Sequence, residues 1–441
     1  MLKSVGGTGL LKIAVMGVSG VFGLFTSRLI IRHFGTDAYA QYGLLASFPT
    51  LLPFADLGIA AVVINAVAGA RDPRTDTDAR NAITTAFRIL VVAGAIIIGI
   101  GALISILGLW PTLLGEGLTA GGPAAAFACL AIFGVVLPLT VGQRVLVGLH
   151  RTGSQVAAQS VVAPFMFASV GLLVVLGVRA SDYLATLTYL GSALVSVICL
   201  LIAGRALKPG LGRAIRDVPR LKRVPSVSVI HLAWPNLVQM IALPIAMQTD
   251  RLLLSHRGGS GDLASYNLAS QLFGMVLQAI AAAGIALWPF FARARAREQV
   301  QSPVKPMLWF TVVGLGIASV LALLSGWIAE FLADGEIRLD VWLIGGFVAF
   351  VTLQASKYPL GMYMTDKRGL TFQVPPILVM VPLNLAISWW LIGVVGAGGP
   401  IIGSAISVLI CQVIPNYWYV RRDLRRRNAD LEQAKVPADE A

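Results

Sequence analysis

Apolar residues run in long stretches from one end of the chain to the other, separated by short polar segments. No period-two alternation of the strand kind marks these stretches, and each exceeds the roughly 18 residues that a membrane-crossing helix needs. The pattern predicts an all-α, polytopic integral membrane protein of about twelve transmembrane helices: 10–32, 38–69, 83–109, 122–148, 154–177, 181–204, 228–255, 263–291, 306–330, 340–363, 372–394 and 397–420. The first run leads into a second and lacks a small-residue cleavage site, so it reads as a crossing helix, not a removable leader.

The connections between runs alternate in charge. One set carries 25 of the 34 Lys and Arg residues, including Arg71, Arg74 and Arg80, the 205–227 segment, and the tail from Arg421. The opposite set carries four: Arg32, Arg179, Arg257 and Arg338. The positive-inside rule then places both termini in the cytoplasm, and an even helix count preserves the alternation. Composition agrees. Of 441 residues, 57% are hydrophobic and only 12% charged, against about 25% charged in soluble chains, and mean hydropathy is +0.80. The net charge of +13 is therefore explained by topology and anionic headgroups, and nucleic acid is excluded as a partner. Cys129, Cys199 and Cys411 lie in apolar runs at unrelated spacing and read as small core residues, with no metal or cofactor implied.

The chain repeats itself. Ser27-Arg28-Leu29, with His33 and Tyr42 beyond it, returns as Asp250-Arg251-Leu252, with His256 and Tyr266. Gly191-Ser192-Ala193 with Cys199 returns as Gly403-Ser404-Ala405 with Cys411. The expected organisation is a six-helix lobe over 1–204, a basic cytoplasmic linker over 205–227, a second six-helix lobe over 228–420, and a cytoplasmic tail over 421–441. Two lobes in the same orientation make a parallel repeat about the membrane normal, an arrangement found in transporters.

Five cations fall in or near the spans: Arg28, Arg88, Arg144, Arg251 and Lys357. Two carboxylates share them, Asp56 and Asp250. Each costs about 2.5–3.5 kcal/mol at mid-bilayer and so calls for a wet cavity or a partner. Snorkelling to the headgroups is the competing explanation for each cation alone, and a local Asp250–Arg251 pair would also lower the cost. Polar stripes sharpen the choice. Asn236, Gln239 and Asp250 lie within about 60° on the seventh span, and Asn267, Gln271 and Gln278 within about 40° on the eighth. A stripe of this kind lines a cavity or forms an interhelical seam. A net positive cavity attracts an anion, and Arg suits phosphate oxygens. The candidate substrate-binding residues are therefore Arg28, Arg144, Arg251, Lys357, Asn236, Gln239, Asn267 and Gln271, with Asp56 and Asp250 as sites for coupling H+ or Na+ in the absence of any ATPase motif. Glu330, Asp334, Glu336 and Asp340 read as solvated surface acids.

The stretch Asp250-Arg251-Leu252-Leu253-Leu254, then Gly261, Tyr266 and Ala269, together with Phe54-Ala55-Asp56-Leu57-Gly58-Ile59, resembles the polysaccharide-type, O-antigen flippase-like branch of the multidrug/oligosaccharidyl-lipid/polysaccharide exporter superfamily. The resemblance covers essentially the whole chain. It implies translocation of an undecaprenyl-pyrophosphate-linked oligosaccharide across the bacterial cytoplasmic membrane, with polysaccharide polymerases or glycosyltransferases as partners. Lipid II flippases of that superfamily usually carry two further helices, so twelve favours a polysaccharide unit. Two rivals remain. A multidrug exporter would want an acidic cavity. A membrane glycosyltransferase or polymerase would need a large loop with paired acids, and Asp76-Thr77-Asp78 sits in a loop too short for a nucleotide-sugar domain. No enzyme motif is present, so the expectation is a non-enzyme.

Overall fold

The computed structural model describes residues 2–52, 59–219, 249–285, 287–296 and 299–433. Every regular element among them is helical. In chain order, those of eight residues or more are α1 (Leu2–Phe34), α2 (Thr36–Ala46), α3 (Ile59–Gly69), α4 (Thr77–Ile106), α5 (Gly122–Val136), α6 (Val141–Gly148), α7 (Thr152–Gln159), α8 (Val162–Val175), α9 (Leu184–Ala206) and α10 (Gly210–Asp217). There follow α11 (Asp250–Arg257), α12 (Ser260–Ile285), α13 (Trp288–Ala296), α14 (Val304–Ala333), α15 (Val341–Tyr363), α16 (Lys367–Val395), α17 (Gly399–Val408) and α18 (Ile414–Gln433).

Among the described residues, nine helical stretches are long and apolar enough to cross a membrane. They account for the predicted spans as follows. The last stretch, Arg368–Ala429, holds two of them, α16 and α17–α18, joined through the 3-10 turn Gly396–Gly398. The second predicted span is divided between α2 and α3, and most of the seventh lies outside the described residues. The side chains match the membrane reading. On α14, Val312 is 67% exposed and Leu323 85%, which water would penalise and lipid does not. Trp309 and Trp327, both 72% exposed, stand about 27 Å apart along that helix, close to the ~30 Å hydrocarbon thickness that puts Trp at both interfaces.

The chain divides into two units. The first comprises Met1–Pro244, Gly259–Ala264 and Leu332–Glu336; the second comprises Ile245–Gly258, Ser265–Phe331 and Ile337–Ala441. In the first unit α4 packs on α5 and α9 on α6. The α4–α5 contact is at backbone level, because a Cβ on Gly134 would lie 2.7 Å from the Gly94 carbonyl oxygen. Small residues at a crossing let helices approach and gain dispersion energy where lipid removes the hydrophobic drive. Asp76 caps α4 by accepting from the Ala79 amide at 2.8 Å, a structural use of the Asp-x-Asp cluster.

The basic segment after α9 is held against this unit. Asp217, at the end of α10, is buried and ion-paired with Arg80. Arg88 donates to the carbonyls of Asp217 and Val218, each at 2.9 Å, and Thr84 donates to that of Ala214 at 3.2 Å. These α4 side chains satisfy carbonyls that a helix C-terminus leaves open. Arg88 thus has specific partners besides the snorkelling weighed for it from sequence. In the second unit α16 packs closely on α17, where a Cβ on Gly403 would lie 2.9 Å from the Ser388 nitrogen.

Candidate functional site

The second unit gathers a polar cluster from α11, α12, α16 and α17. Asp250 opens α11 and is only 2% exposed. Its carboxylate accepts the Tyr266 hydroxyl of α12 at 2.6 Å. The Ser404 hydroxyl of α17 lies 3.4 Å from both of its oxygens. Ser404 in turn accepts from the Asn384 amide of α16 at 2.8 Å. Asn384 and Ser404 are themselves buried, and Ser388, one turn beyond Asn384, is fully buried as well. A buried carboxylate is tolerated only when donors face it, and here they come from two other helices, with Asn384 of a third supporting Ser404.

Arg251 points elsewhere. Its Nε donates to Asn267 Oδ1 at 2.7 Å and an Nη donates to Ser270 Oγ at 3.0 Å. Its guanidinium also lies 5.8 Å from the Tyr266 ring centre. Asp250 and Arg251 thus each take their hydrogen-bond partners from other helices. Asp250, Arg251 and Asn267 come together, with Gln271 one turn further along α12. Gln278 is exposed, so the eighth-span stripe is buried at Asn267 and open at its far end.

The other predicted residues are distributed more widely. Asp56, Asn236 and Gln239 lie outside the described residues. Lys357, on α15 in the second unit, has its ammonium 5.7 Å from the Tyr358 ring centre. Arg144 is half-buried on α6 in the first unit. Arg28, also in the first unit, lies 3.9 Å from Asp334, and Arg32 pairs with the same carboxylate. Asp334 is thus an exposed acid that also pairs with arginine. Asp340 is likewise structural, capping α15 by accepting from the Trp342 amide at 3.0 Å. The repeated histidines serve their own helices: His33 Nδ1 pairs with the Leu29 carbonyl at 3.1 Å, and His256 Nδ1 with that of Leu252 at 2.7 Å.

Tyr266 and Ser404 were visible as members of the two sequence repeats but were not singled out for chemistry. Asn384 and Ser270 carried no signal beyond a polar residue in an apolar run. Among the described residues, no group of three or more His, Cys, Asp or Glu side chains could hold a metal ion.

Comparison with known proteins follows the same lines. Solved structures of similar fold include an inward-facing multidrug resistance MATE family transporter of the MOP superfamily, at 15% identity, TM-score 0.67, covering 96% of this chain and 99% of that one. The lipid II flippase MurJ, in an inward closed conformation, aligns at 12% identity with TM-score 0.62, covering 95% and 90%. An outward-facing MATE family transporter of the MOP superfamily aligns at 15% identity with TM-score 0.61, covering 97% and 96%. No curated protein sequence matches significantly. The fold is thus that of the two-lobe membrane transporters of the MOP superfamily. Within that class, the family described as polysaccharide biosynthesis protein matches residues 2–295, and the chain belongs to it.

Proposed function

We propose that this protein is a flippase that moves polyprenyl-pyrophosphate-linked oligosaccharide units across the bacterial cytoplasmic membrane by alternating access, for O-antigen or another surface polysaccharide. Family membership supports a role in polysaccharide synthesis, and the transporter fold supports movement across the membrane in place of sugar transfer. The observation that carries the reading is Arg251, whose guanidinium donates to two neutral acceptors, Asn267 and Ser270. These hydrogen bonds orient the fork, whose bidentate geometry suits a pyrophosphate. Arg28, Arg144 and Lys357 are proposed as further cations along the path. The basic loops support cytoplasmic termini.

Asp250 is proposed as the coupling group. Its carboxylate, with the Ser404 hydroxyl beside it, can take up H+ or Na+ and lose its charge in one state of the cycle. The test is reconstitution of the purified full chain into proteoliposomes with an undecaprenyl-pyrophosphate-linked oligosaccharide. Sugar exposed to an impermeant lectin is then followed with and without an ion gradient. Flipping that falls at least tenfold in Arg251→Ala, with normal insertion, supports the reading. Efflux of cationic drugs without flipping would establish the exporter alternative, and sugar transfer by the purified protein would establish an enzyme.

A further inference from the structure

We propose that the exposed face of α18, from Tyr417 to Arg426, is a binding surface for a phospholipid that carries two phosphates in one headgroup. The surface goes beyond the transport reading and does not depend on it. Its residues succeed one another every four positions in two lines: Tyr417, Arg421 and Arg425 in one, Trp418, Arg422 and Arg426 in the other. Spacing of four keeps each line on one ridge of the helix, and the two ridges lie side by side. All four arginines are exposed. Each ridge begins on an aromatic ring, and its first guanidinium folds back over that ring. Arg421 lies 4.9 Å from the Tyr417 ring centre, and Arg422 lies 5.6 Å from that of Trp418.

The rings set the depth. Ile414, one turn before Trp418, is 55% exposed and Trp418 54%. The helix thus passes from a lipid-facing apolar surface through an interfacial tryptophan to cations. Arg421 and Arg422 stand one turn beyond the rings, about 6 Å. Helical side chains lean toward the N-terminus, here the membrane side, and the stacks hold both guanidinium groups in that direction. They therefore meet phosphates at headgroup level, with acyl chains along Ile414 and the exposed Ile410. On the orientation that the basic loops favour, the leaflet is the cytoplasmic one.

The opposite face of α18 holds the surface in place and sorts the charges. Val420 and Leu424 pack into an apolar cluster with Phe291, Leu360 and Tyr363. Trp418 is backed by Phe372 of α16, with ring centres 6.2 Å apart. Asp423, the only acid between Ile414 and Ala429, serves the inner side. It accepts from the Tyr363 hydroxyl at 2.7 Å and pairs with Arg427 at 2.8 Å. Asp430 and Glu432 come eight and ten residues after Arg422 on the same helix, about 12 Å or more along its axis. Positive-inside topology asks only for basic residues near the exit, not for two lines in register with two rings. Two ridges of guanidinium forks suit two phosphates joined by a short bridge, as in the headgroup of cardiolipin. A lipid with one phosphate engages a single ridge.

The experiment uses the full-length protein in phosphatidylethanolamine bilayers. These contain cardiolipin at half the mole fraction of phosphatidylglycerol, so that both supply the same phosphate. A photoreactive side chain replaces Ile414 in one sample and the lipid-facing Val312 of α14 in another, and captured lipid is identified by mass spectrometry. Because the second phosphate binds intramolecularly, cardiolipin should be enriched about tenfold or more at position 414, with capture in proportion to abundance at 312. Removing either ridge, by Arg421→Gln/Arg425→Gln or by Arg422→Gln/Arg426→Gln, should abolish the preference while phosphatidylglycerol is still captured. Arg213→Gln/Arg216→Gln on α10 removes the same charge from another helix and should leave the preference at 414 unchanged. Equal capture per phosphate at 414 would overturn the proposal, as would a preference indifferent to both ridge variants or lost equally in the α10 variant. Capture of a second copy of the chain at 414 in place of lipid would overturn it too.

Discussion

Replacing Asp250 in two ways separates its structural and coupling roles. In Asp250→Asn the side chain keeps its size, the Tyr266 hydroxyl still finds a carbonyl oxygen at the position now 2.6 Å away, and Ser404 can accept from the new amide. The exchange removes a charge that burial disfavours, so the loss of stability should stay below about 1 kcal/mol. In Asp250→Ala the acceptor disappears. The Tyr266 hydroxyl is left without its partner in a site where Asp250 is 2% and Tyr266 4% exposed. An orphaned buried donor costs about 1–3 kcal/mol, and the cavity adds to it. At about 2–4 °C per kcal/mol for a unit of some 200 residues, Ala should melt several degrees below Asn. Transport should divide the variants differently. Both should lose ion-dependent flipping, although Asn is folded and stable. The double variant Asp250→Ala/Tyr266→Phe should recover about 1–3 kcal/mol relative to additivity, because the orphaned hydroxyl is gone. Thermal melting by fluorescence-detected size exclusion, together with the proteoliposome assay, reads all of these. Flipping by the Asn variant with unchanged ion dependence would refute the coupling role. Equal melting of Ala and Asn would refute the hydrogen-bond argument.

Other expectations follow from the packing and the cations. Gly134→Val should cost at least about 1–3 kcal/mol by forcing α4 and α5 apart, while Gly99→Ala, with nothing within 4 Å of the added carbon, should be neutral in the same melting assay. Asp217→Asn breaks the ion pair with Arg80 and should loosen α10. Because Arg80 is 37% exposed, solvent screening keeps the loss to about 1 kcal/mol, read as faster tryptic cleavage after the exposed Arg213 and Arg216. Arg144→Gln and Lys357→Gln should each lower flipping at least tenfold with normal insertion; full complementation of a deletion strain by either would leave snorkelling as its role.

Hydropathy alone carried the spans, because a helix in lipid must be apolar along its whole length and that requirement is local. The same logic made the two halves legible: the Arg-x4-His segment and the Gly-Ser-Ala segment survive in both. What neither repeat foretold is their difference in use. Ser192 bonds to its own helix at Thr188, whereas Ser404 faces Asp250, which stands where the first copy has Ser27. Likewise, the sequence left open whether Arg251 serves a local pair, a headgroup or a cavity; its hydrogen bonds to Asn267 and Ser270 appear only once the helices are assembled. The chain by itself determined a helical, duplicated, membrane-spanning protein with charge at depth, since composition and period report burial in lipid. Only the tertiary structure decided which polar groups meet. Asp250, Tyr266, Asn384 and Ser404 are up to 154 positions apart, and no pattern within one helix records which neighbour its buried face will find.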